Sequence, residues 1–337
     1  MIRNYLLALL LLALAFPFHA QKLDTKQLEG LKIRNIGPAG MSGRITSIDV
    51  DLSEPDRIFA GAASGGVWLS ENGGINWNPI FDEEAVQSIG AVTINQKNPS
   101  EIWVGTGEIW TRNSVSVGDG LYKSVDGGSN WTKVGFEKSE RIAGIEIHPD
   151  DSKIMYVGVL GALWSDSDER GVYKSADGGV TWEKVLYIDQ TTGCADIIMD
   201  PQDPNTLYAS MWEFRRTPWS FNSGGENSAL YKSTDAGKTW NKIHTGFPEG
   251  KMGRIAIAVA PSDRNILYAV VEAEVKEKSG LYKSTDGGAS WKFKNGDFGL
   301  VVRPFYFSRI VVDPKNPDIV VKAGYSGSIS QDGGNTF

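Results

Sequence analysis

The stretch that decides the fold is Ser175-Ala-Asp177-Gly-Gly179-Val-Thr181-Trp182. In a tight turn, an aspartate side chain accepts hydrogen bonds from backbone N–H groups two or three residues further on. Glycine adopts backbone conformations that are costly for other residues. The tryptophan that follows offers a large apolar area for packing between neighbouring sheets. The phrase therefore predicts a turn between two strands, with the aspartate as a structural staple.

The phrase recurs along the chain. Its six copies are Ser70–Trp77, Ser124–Trp131, Ser175–Trp182, Ser233–Trp240, Ser284–Trp291 and Ser330–Phe337, and they start 46 to 58 residues apart. The staple position holds Asn72, Asp126, Asp177, Asp235, Asp286 and Asp332. Because a repeated architecture requires one equivalent acid per unit, we interpret these residues as structural. The alternative is a row of catalytic or calcium-binding acids, and an asparagine in the first copy fits it less well.

A second phrase repeats with the same period as the first and consists of two apolar strands joined by a turn. The turns contain Pro55, Pro99, Pro149, Pro204, Pro261 and Pro317, and proline marks the connection between strands because it cannot donate to a central ladder. Each unit then holds four short strands. In the second unit we predict them at 90–95, 101–105, 120–124 and 130–134.

Four-stranded units of about 50 residues are typical of a β-propeller. The sequence therefore predicts an all-β propeller, with the repeated turn between the third and fourth strands of each blade. The predicted blades are 41–81, 88–135, 141–187, 193–244, 252–294 and 308–337. The sixth copy of the turn reaches Phe337 before a fourth strand. We therefore expect a fragment of a longer protein with at least one further blade; the alternative is a natural six-bladed chain.

The repeated phrase is the Asp-box, also called the BNR repeat. The chain resembles exported BNR-repeat propellers grouped with sortilin-type domains, many of them labelled glycosyl hydrolases, over about residues 28–337. Short motifs similar to that family's N-terminal region occur at residues 42–45, 65–68, 103–108, 112–114 and 118–124. The resemblance implies the propeller fold and a ring larger than six blades. It implies little about function, because sialidases, xyloglucanases and sorting receptors all carry the repeat.

The first 20 residues predict a signal peptide. Arg3 precedes an apolar run of about 12 residues, which is shorter than the roughly 20 needed to span a bilayer, and Ala20 suits a cleavage site. The alternative is a buried N-terminal helix. We expect no membrane span and an exported protein in the periplasm, at the cell surface or outside the cell. Residues 21–40 form an N-terminal segment, in which 31–36 is a possible closing strand for the ring.

Composition excludes several classes of function. A net charge of −7 disfavours nucleic acid as a partner, because phosphate binding needs a basic face. One cysteine and three histidines cannot form an internal disulfide and predict no metal site and no cofactor. We expect the lone cysteine, Cys194, to be a buried small residue on an inner strand.

The irregular loops identify a candidate ligand face. In each blade, the second–third loops and the links between blades lie on the face opposite the repeated turns. Here they are long at 105–120, 158–171, 210–228 and 295–308, and variable loops on a rigid scaffold usually carry function. The aromatic and cationic candidates on them are Trp110, Arg112, Trp164, Trp212, Arg215 and Trp219. Such side chains suit a glycan or a peptide or protein ligand; alternatively, they pack the loops against each other.

Four inner strands begin with arginine. Arg44, Arg141, Arg254 and Arg309 are each followed by isoleucine, and on a propeller these positions ring the central channel at the loop-rich face. Converging guanidinium groups would attract a carboxylate. The alternative is that each arginine pairs with an acid such as Glu140 or Glu84.

Two functions remain open. The first is a non-catalytic recognition propeller of the sortilin type. The second is a glycoside hydrolase, which needs two carboxylates about 5–10 Å apart; Glu108, Asp166 and Glu169 are the candidates. Two comparisons count against it: Thr46 stands where the sialidase motif has proline, and Ala63 stands where the xyloglucanases have an acid. The sequence leaves the oligomeric state open.

Overall fold

The computed structural model describes residues 44–112 and 115–337. Within them, short antiparallel strands form six successive sheets, which confirms the predicted all-β propeller. The predicted signal peptide at 1–20 and closing strand at 31–36 lie outside the described residues. None of the helices in the described part is long and apolar enough to cross a membrane.

Each sheet is one blade, and its strands follow chain order from the central channel outward. Blade 1 contains β1 (Ile45–Val50), β2 (Ile58–Ala62), β3 (Val67–Ser70) and β4 (Asn78–Pro79). Blade 2 contains β5 (Ile89–Ile94), β6 (Ile102–Thr106), β7 (Leu121–Ser124) and β8 (Thr132–Lys133). Blade 3 contains β9 (Ile142–Ile147), β10 (Met155–Val159), β11 (Gly171–Ser175) and β12 (Glu183–Leu186).

The second half of the chain repeats the pattern with local variations. Blade 4 contains β13 (Thr192–Asp200), β14 (Asp203–Arg216), β15 (Phe221–Ser223), β16 (Ala229–Ser233) and β17 (Asn241–Ile243). Blade 5 contains β18 (Met252–Val259), β19 (Leu267–Ala273), β20 (Gly280–Ser284) and β21 (Lys292–Asn295), with a 3-10 turn at Lys276–Lys278. A short helix α1 (Phe298–Val301) precedes blade 6, which contains β22 (Arg309–Val312), β23 (Val320–Ala323) and β24 (Ser328–Ser330).

One predicted loop is wrong. Residues 210–228 were expected to be irregular, but β14 extends to Arg216 and pairs with β15 in a hairpin that projects from the blade. The run Leu207 to Phe214 continues the apolar and aromatic composition of the strand, and this continuity was the overlooked signal.

The repeated turn has the predicted position and an explicit hydrogen-bond pattern. In blade 3, the Gly179 N–H donates to Ser175 Oγ at 2.8 Å. The Thr181 N–H donates to Asp177 Oδ1 at 2.9 Å, and the Thr181 hydroxyl donates to Asp177 Oδ2 at 2.6 Å. Gly179 has φ of 88°, a left-handed conformation that glycine adopts without strain. The side chains of the turn thus satisfy its own backbone.

Side chains on the inner strands connect each blade to the next. Val92 N–H in blade 2 donates to Ser47 Oγ at 3.0 Å, and Ile94 N–H donates to Asp49 Oδ2 at 2.8 Å. The Thr93 hydroxyl donates in turn to the carbonyl of Ile145 in blade 3 at 3.0 Å. These bonds join sheets that share no ladder, so they fix the angle between blades together with the apolar core.

The propeller has two unlike faces. The first–second turns and the repeated turns lie on one, which we call the turn face. The second–third loops and the links between blades lie on the other, the loop-rich face. Cys194 lies on inner strand β13 and is buried, as predicted.

Candidate functional site

The four inner-strand arginines stand at the loop-rich end of the channel. Arg44 and Arg141 immediately precede β1 and β9, Arg254 lies near the start of β18, and Arg309 begins β22. The propeller therefore brings together side chains that are far apart in sequence. What each guanidinium group contacts differs from one to the next.

Arg44 forms a two-point ion pair with Glu108. Arg44 Nε donates to Glu108 Oε1 at 2.9 Å, and Nη2 donates to Oε2 at 2.8 Å. The Glu108 side chain is fully buried, whereas that of Arg44 is about one-third exposed. The pair joins the start of blade 1 to the second–third loop of blade 2. The carboxylate that we considered for catalysis is therefore held by a fork-shaped partner.

Arg254 is enclosed between two tryptophan rings. Its guanidinium carbon lies 4.2 Å from the centre of the Trp110 ring and 5.2 Å from that of Trp212. Nη1 donates to the carbonyls of Ile109 at 2.8 Å and Phe305 at 3.1 Å. Burial lowers its pKa to about 9. Backbone carbonyls and aromatic rings of the protein thus surround this cation.

Further cations and aromatic rings pack next to Arg254, Trp110 and Trp212. Arg309 lies 5.4 Å from the centre of the Trp110 ring and pairs with Asp196 at 3.6 Å. Trp212 stacks on Phe214 with ring centres 4.4 Å apart, and Arg170 lies over Phe214 at 4.4 Å. Cations and aromatic rings therefore form one continuous series of contacts. We call these six residues the cation–aromatic row: Arg170, Phe214, Trp212, Arg254, Trp110 and Arg309.

The loop that carries Trp110 fills the mouth of the channel. Ile109 is buried in an apolar cluster that includes Leu160, Ala195 and Trp212, with Phe305 packed against it. Residues from the second, third and fourth blades and from the link before the sixth blade thus pack together at the loop-rich end.

Beneath this plug lies a channel cavity of about 310 Å³, which residues from all six inner strands line. Its wall includes Glu146 and Asp196. Burial, together with the nearby carboxyls of Asp196 and Asp49, raises the pKa of Glu146 to about 8. Burial likewise raises the pKa of Asp49 to about 6. Each of the three acids accepts a backbone N–H from the following blade. Asp49 and Glu146 lie within inner strands of different blades, so no local sequence pattern indicates that their carboxyls come close together.

Two tryptophan rings remain exposed on the loop-rich side. Trp164 is 45% exposed, and Trp219, in the turn of the β14–β15 hairpin, is 85% exposed. Arg215 connects the β14–β15 hairpin to the loop that carries Trp164: its Nη1 donates to the Trp164 carbonyl at 3.3 Å, and Nη2 pairs with Asp166. The hairpin turn is closed by a bond from Thr217 N–H to the Ser220 carbonyl at 2.9 Å. Two exposed aromatic rings thus lie in segments that an ion pair joins.

The other candidates fall in different surroundings. Trp212, one of the ligand candidates, is 0% exposed because it forms part of the cation–aromatic row, which agrees with the alternative that these rings pack the loops. Arg112 and Glu169 are half-buried. Glu84, considered as an arginine partner, lies near Asp119 and Lys133 instead. In the described part of the chain, no group of three or more His, Cys, Asp or Glu side chains has metal-binding geometry.

The fold and the repeated turn define the class: the chain is a BNR-type β-propeller. A family model described as Sortilin-Vps10 (sortilin, neurotensin receptor 3) matches residues 170–323. Among curated proteins, the xyloglucanase Xgh74A of Acetivibrio thermocellus is 24% identical, over 85% of this chain and 36% of its own length. A xyloglucanase from a Paenibacillus species is 22% identical, over 78% of this chain and 27% of its own length.

Solved structures agree on the fold. A GH74 enzyme from Niastella koreensis superposes with a TM-score of 0.62 at 20% identity, covering 86% of this chain and 45% of that one. A GH74 xyloglucanase from Xanthomonas campestris gives a TM-score of 0.59 at 18% identity, covering 88% of this chain and 53% of that one. The chain spans about a third of the length of the curated relatives it matches. It is thus similar to part of the GH74 xyloglucanases.

Proposed function

We propose that the protein binds a carbohydrate polymer on its loop-rich face. The observation that carries the proposal is the exposure of two tryptophan rings, Trp164 and Trp219, in segments that also carry the Arg215–Asp166 ion pair. An exposed aromatic ring offers a flat apolar surface to a sugar, and adjacent polar groups can fix its orientation. The similarity to xyloglucanases favours a glycan over a peptide.

The packing of residues at the loop-rich end of the channel constrains how a polymer would bind. Because Ile109, Trp110 and Phe305 pack together around Arg254 at the loop-rich end, we expect a polymer to lie across the face and not to thread into the channel. The cation–aromatic row supports the floor of that face. The rings that contact sugar are then those outside the row.

A glycoside hydrolase is the second candidate, and similarity to xyloglucanases over 85% of the chain favours it. Two of the proposed acids already have arginine partners, Glu108 with Arg44 and Asp166 with Arg215. Ala63, at the position where the resemblance led us to look for an acid, is buried. Hydrolysis would therefore draw at least one carboxylate from another part of the protein.

The test is a glycan and peptide array with the full-length protein, reading binding and released sugar together. We expect xyloglucan-type oligosaccharides to bind, with affinity at least about tenfold lower, about 1.4 kcal/mol, for Trp164→Ala or Trp219→Ala. Trp77→Ala is the matched control because Trp77 is a half-exposed ring on the turn face. Unchanged glycan binding in both variants, or binding of peptides alone, would refute the proposal. Sugar release that is lost in Asp166→Asn would establish the hydrolase.

Export remains part of the proposal. The predicted signal peptide at 1–20 would bring the protein to the periplasm, the cell surface or the medium, where polysaccharides are met. Fractionation of the cells that produce it, with N-terminal sequencing of the mature chain, tests this directly. A mature protein that begins at Met1 in the cytoplasm would contradict it.

A further inference from the structure

Neighbouring blades pack on one another through their inner strands. The contacts run from β1 to β5, from β5 to β9, from β9 to β13, from β13 to β18 and from β18 to β22. Among the described residues, β22 and β1 form no comparable interface. The packing of one blade on the next therefore runs from blade 1 to blade 6 and does not return from blade 6 to blade 1.

The face of blade 1 that points away from blade 2 is apolar and exposed. Ile48 pairs with Ala60 in the ladder of blade 1 at the step where Val92 pairs with Val104 in blade 2. Val92 packs against blade 1 and is 4% exposed, whereas Ile48 is 62% exposed. The equivalent residues of the other four blades are as buried as Val92: Ile145, Ile197, Ile257 and Ile310.

A second isoleucine extends this face. Ile45 is more than half exposed, whereas Ile89, at the equivalent start of β5, is fully buried against blade 1. The backbone of blade 2 also bonds to the preceding blade, since the Val92 N–H donates to Ser47 Oγ at 3.0 Å. The Ile48 N–H has the equivalent position in blade 1. A strand that covers blade 1 is therefore expected to carry apolar side chains and a hydroxyl or carboxylate acceptor.

Blade 6 has an apolar row on its opposite face. Val311, Val321 and Ile329 lie across from one another on β22, β23 and β24. Val311 and Ile329 are more than half exposed. In every other blade, the position of Val321 holds a buried aromatic ring that packs on, or donates its hydroxyl to, the blade that follows. These rings belong to Phe59, Trp103, Tyr156, Tyr208 and Tyr268.

We propose that a further blade of the same polypeptide, from outside residues 44–337, packs between the exposed faces of blade 1 and blade 6. Both faces continue interfaces that the five other junctions already form, and contiguous exposed apolar surface marks an interaction site. A sheet that covers both faces also closes the ring, as a propeller requires. The described residues are already divided among the six blades. A blade of about 50 residues is too long to come from residues 21–43.

Cysteine labelling of the full-length protein tests the proposal. Ile48→Cys and Ile329→Cys are made separately, and their reaction with a maleimide is timed under native conditions. Each should react at least about tenfold more slowly than Val180→Cys, because Val180 is exposed in the repeated turn of blade 3, away from both faces. Cys194 adds little background, since it is buried and burial raises the pKa of its thiol. The wild-type reaction is subtracted, and circular dichroism with the unfolding midpoint confirms that each variant is folded.

Labelling of either new cysteine at the rate of Val180→Cys would overturn the proposal. Protection that disappears on dilution would show that a second copy covers the face, and protection that disappears on deletion of residues 21–40 would assign the cover to the N-terminal segment. Each of these outcomes overturns the further blade. A crystal structure of the full-length protein in which anything other than a β-sheet lies between blades 6 and 1 would do the same. Protection that persists on dilution and after the deletion supports it.

Discussion

The Arg254 guanidinium group lies 4.2 Å from the centre of the Trp110 ring. Arg254 Nη1 also donates to the carbonyl of Ile109, which is 145 positions earlier in the chain. Arg254 belongs to blade 5 and Trp110 to the loop of blade 2, so these blades are not neighbours in the ring. The contact therefore ties the propeller across its channel, in addition to the packing of each blade on the next.

Replacing Trp110 with alanine should loosen this tie. We expect the free energy of unfolding to fall by about 2–3 kcal/mol, less than for a fully buried tryptophan because the ring is partly exposed. Trp110→Phe should retain most of the stability. Urea denaturation measures both, and Trp219→Ala, which removes an 85% exposed ring, serves as the control. An equal effect of the two alanine variants would contradict the role of Trp110.

The Arg44–Glu108 pair should show direct coupling in a double-mutant cycle. Glu108→Gln and Arg44→Ala should each destabilise the protein, because each leaves one partner uncompensated, and the double variant should lose less than the sum. Since Arg44 is about one-third exposed, we expect a coupling energy of about 1–2 kcal/mol. A coupling energy near zero would show that the two side chains act independently.

The repeated turns should make the protein sensitive to acid. Hydrogen bonds from Thr181 lower the pKa of Asp177 to about 2, and those from Thr239 do the same for Asp235. A pKa below the unfolded value, about 3.9, gives stability that is present above pH 4 and is lost as the pH falls towards 2. Asp177→Asn should reduce this dependence. Thermal unfolding between pH 2 and 5 is the measurement, with the natural Asn72 turn as precedent for the amide.

The carboxyls of Glu146 and Asp49 should make the protein less stable as the pH rises, which is opposite to the effect of the repeated turns. Burial raises the pKa of Glu146 to about 8 and that of Asp49 to about 6, above the unfolded values near 4. Their contribution to stability is therefore complete below about pH 4 and is lost as the pH rises towards 8. Glu146→Gln should flatten the unfolding profile between pH 6 and 8. Glu83→Gln, at an exposed acid, should leave the profile unchanged; a slope that persists in Glu146→Gln would contradict the assignment.

Sequence patterns were reliable wherever a short segment satisfies its own bonds. The turn at Ser175–Trp182 is closed by side chains two to four residues away, so its spacing alone predicts it. The second blade was predicted at 90–95 and 101–105 and observed at Ile89–Ile94 and Ile102–Thr106. Local chemistry thus specified the repeat, the strand order and the position of each turn.

Whether a loop residue is buried or exposed could be decided only from the tertiary structure. The sequence left open whether Trp212 contacts a ligand or packs a loop, and its contacts with Phe214 and Arg254 bury it. Trp219, seven residues later, is exposed because the hairpin turn carries it away from the blade. Composition does not separate these two tryptophans, since the difference lies in which distant groups reach them.

The sequence by itself determined that the chain is a propeller, because its repeat encodes self-contained turns and strands of fixed length. Only the tertiary structure decided which group each inner-strand arginine contacts. Arg44 meets Glu108 and Arg254 meets the carbonyl of Ile109 across 64 and 145 positions of the chain, while Arg141 pairs with the adjacent Glu140. Such contacts depend on how the blades close around the channel, and no local pattern records that geometry.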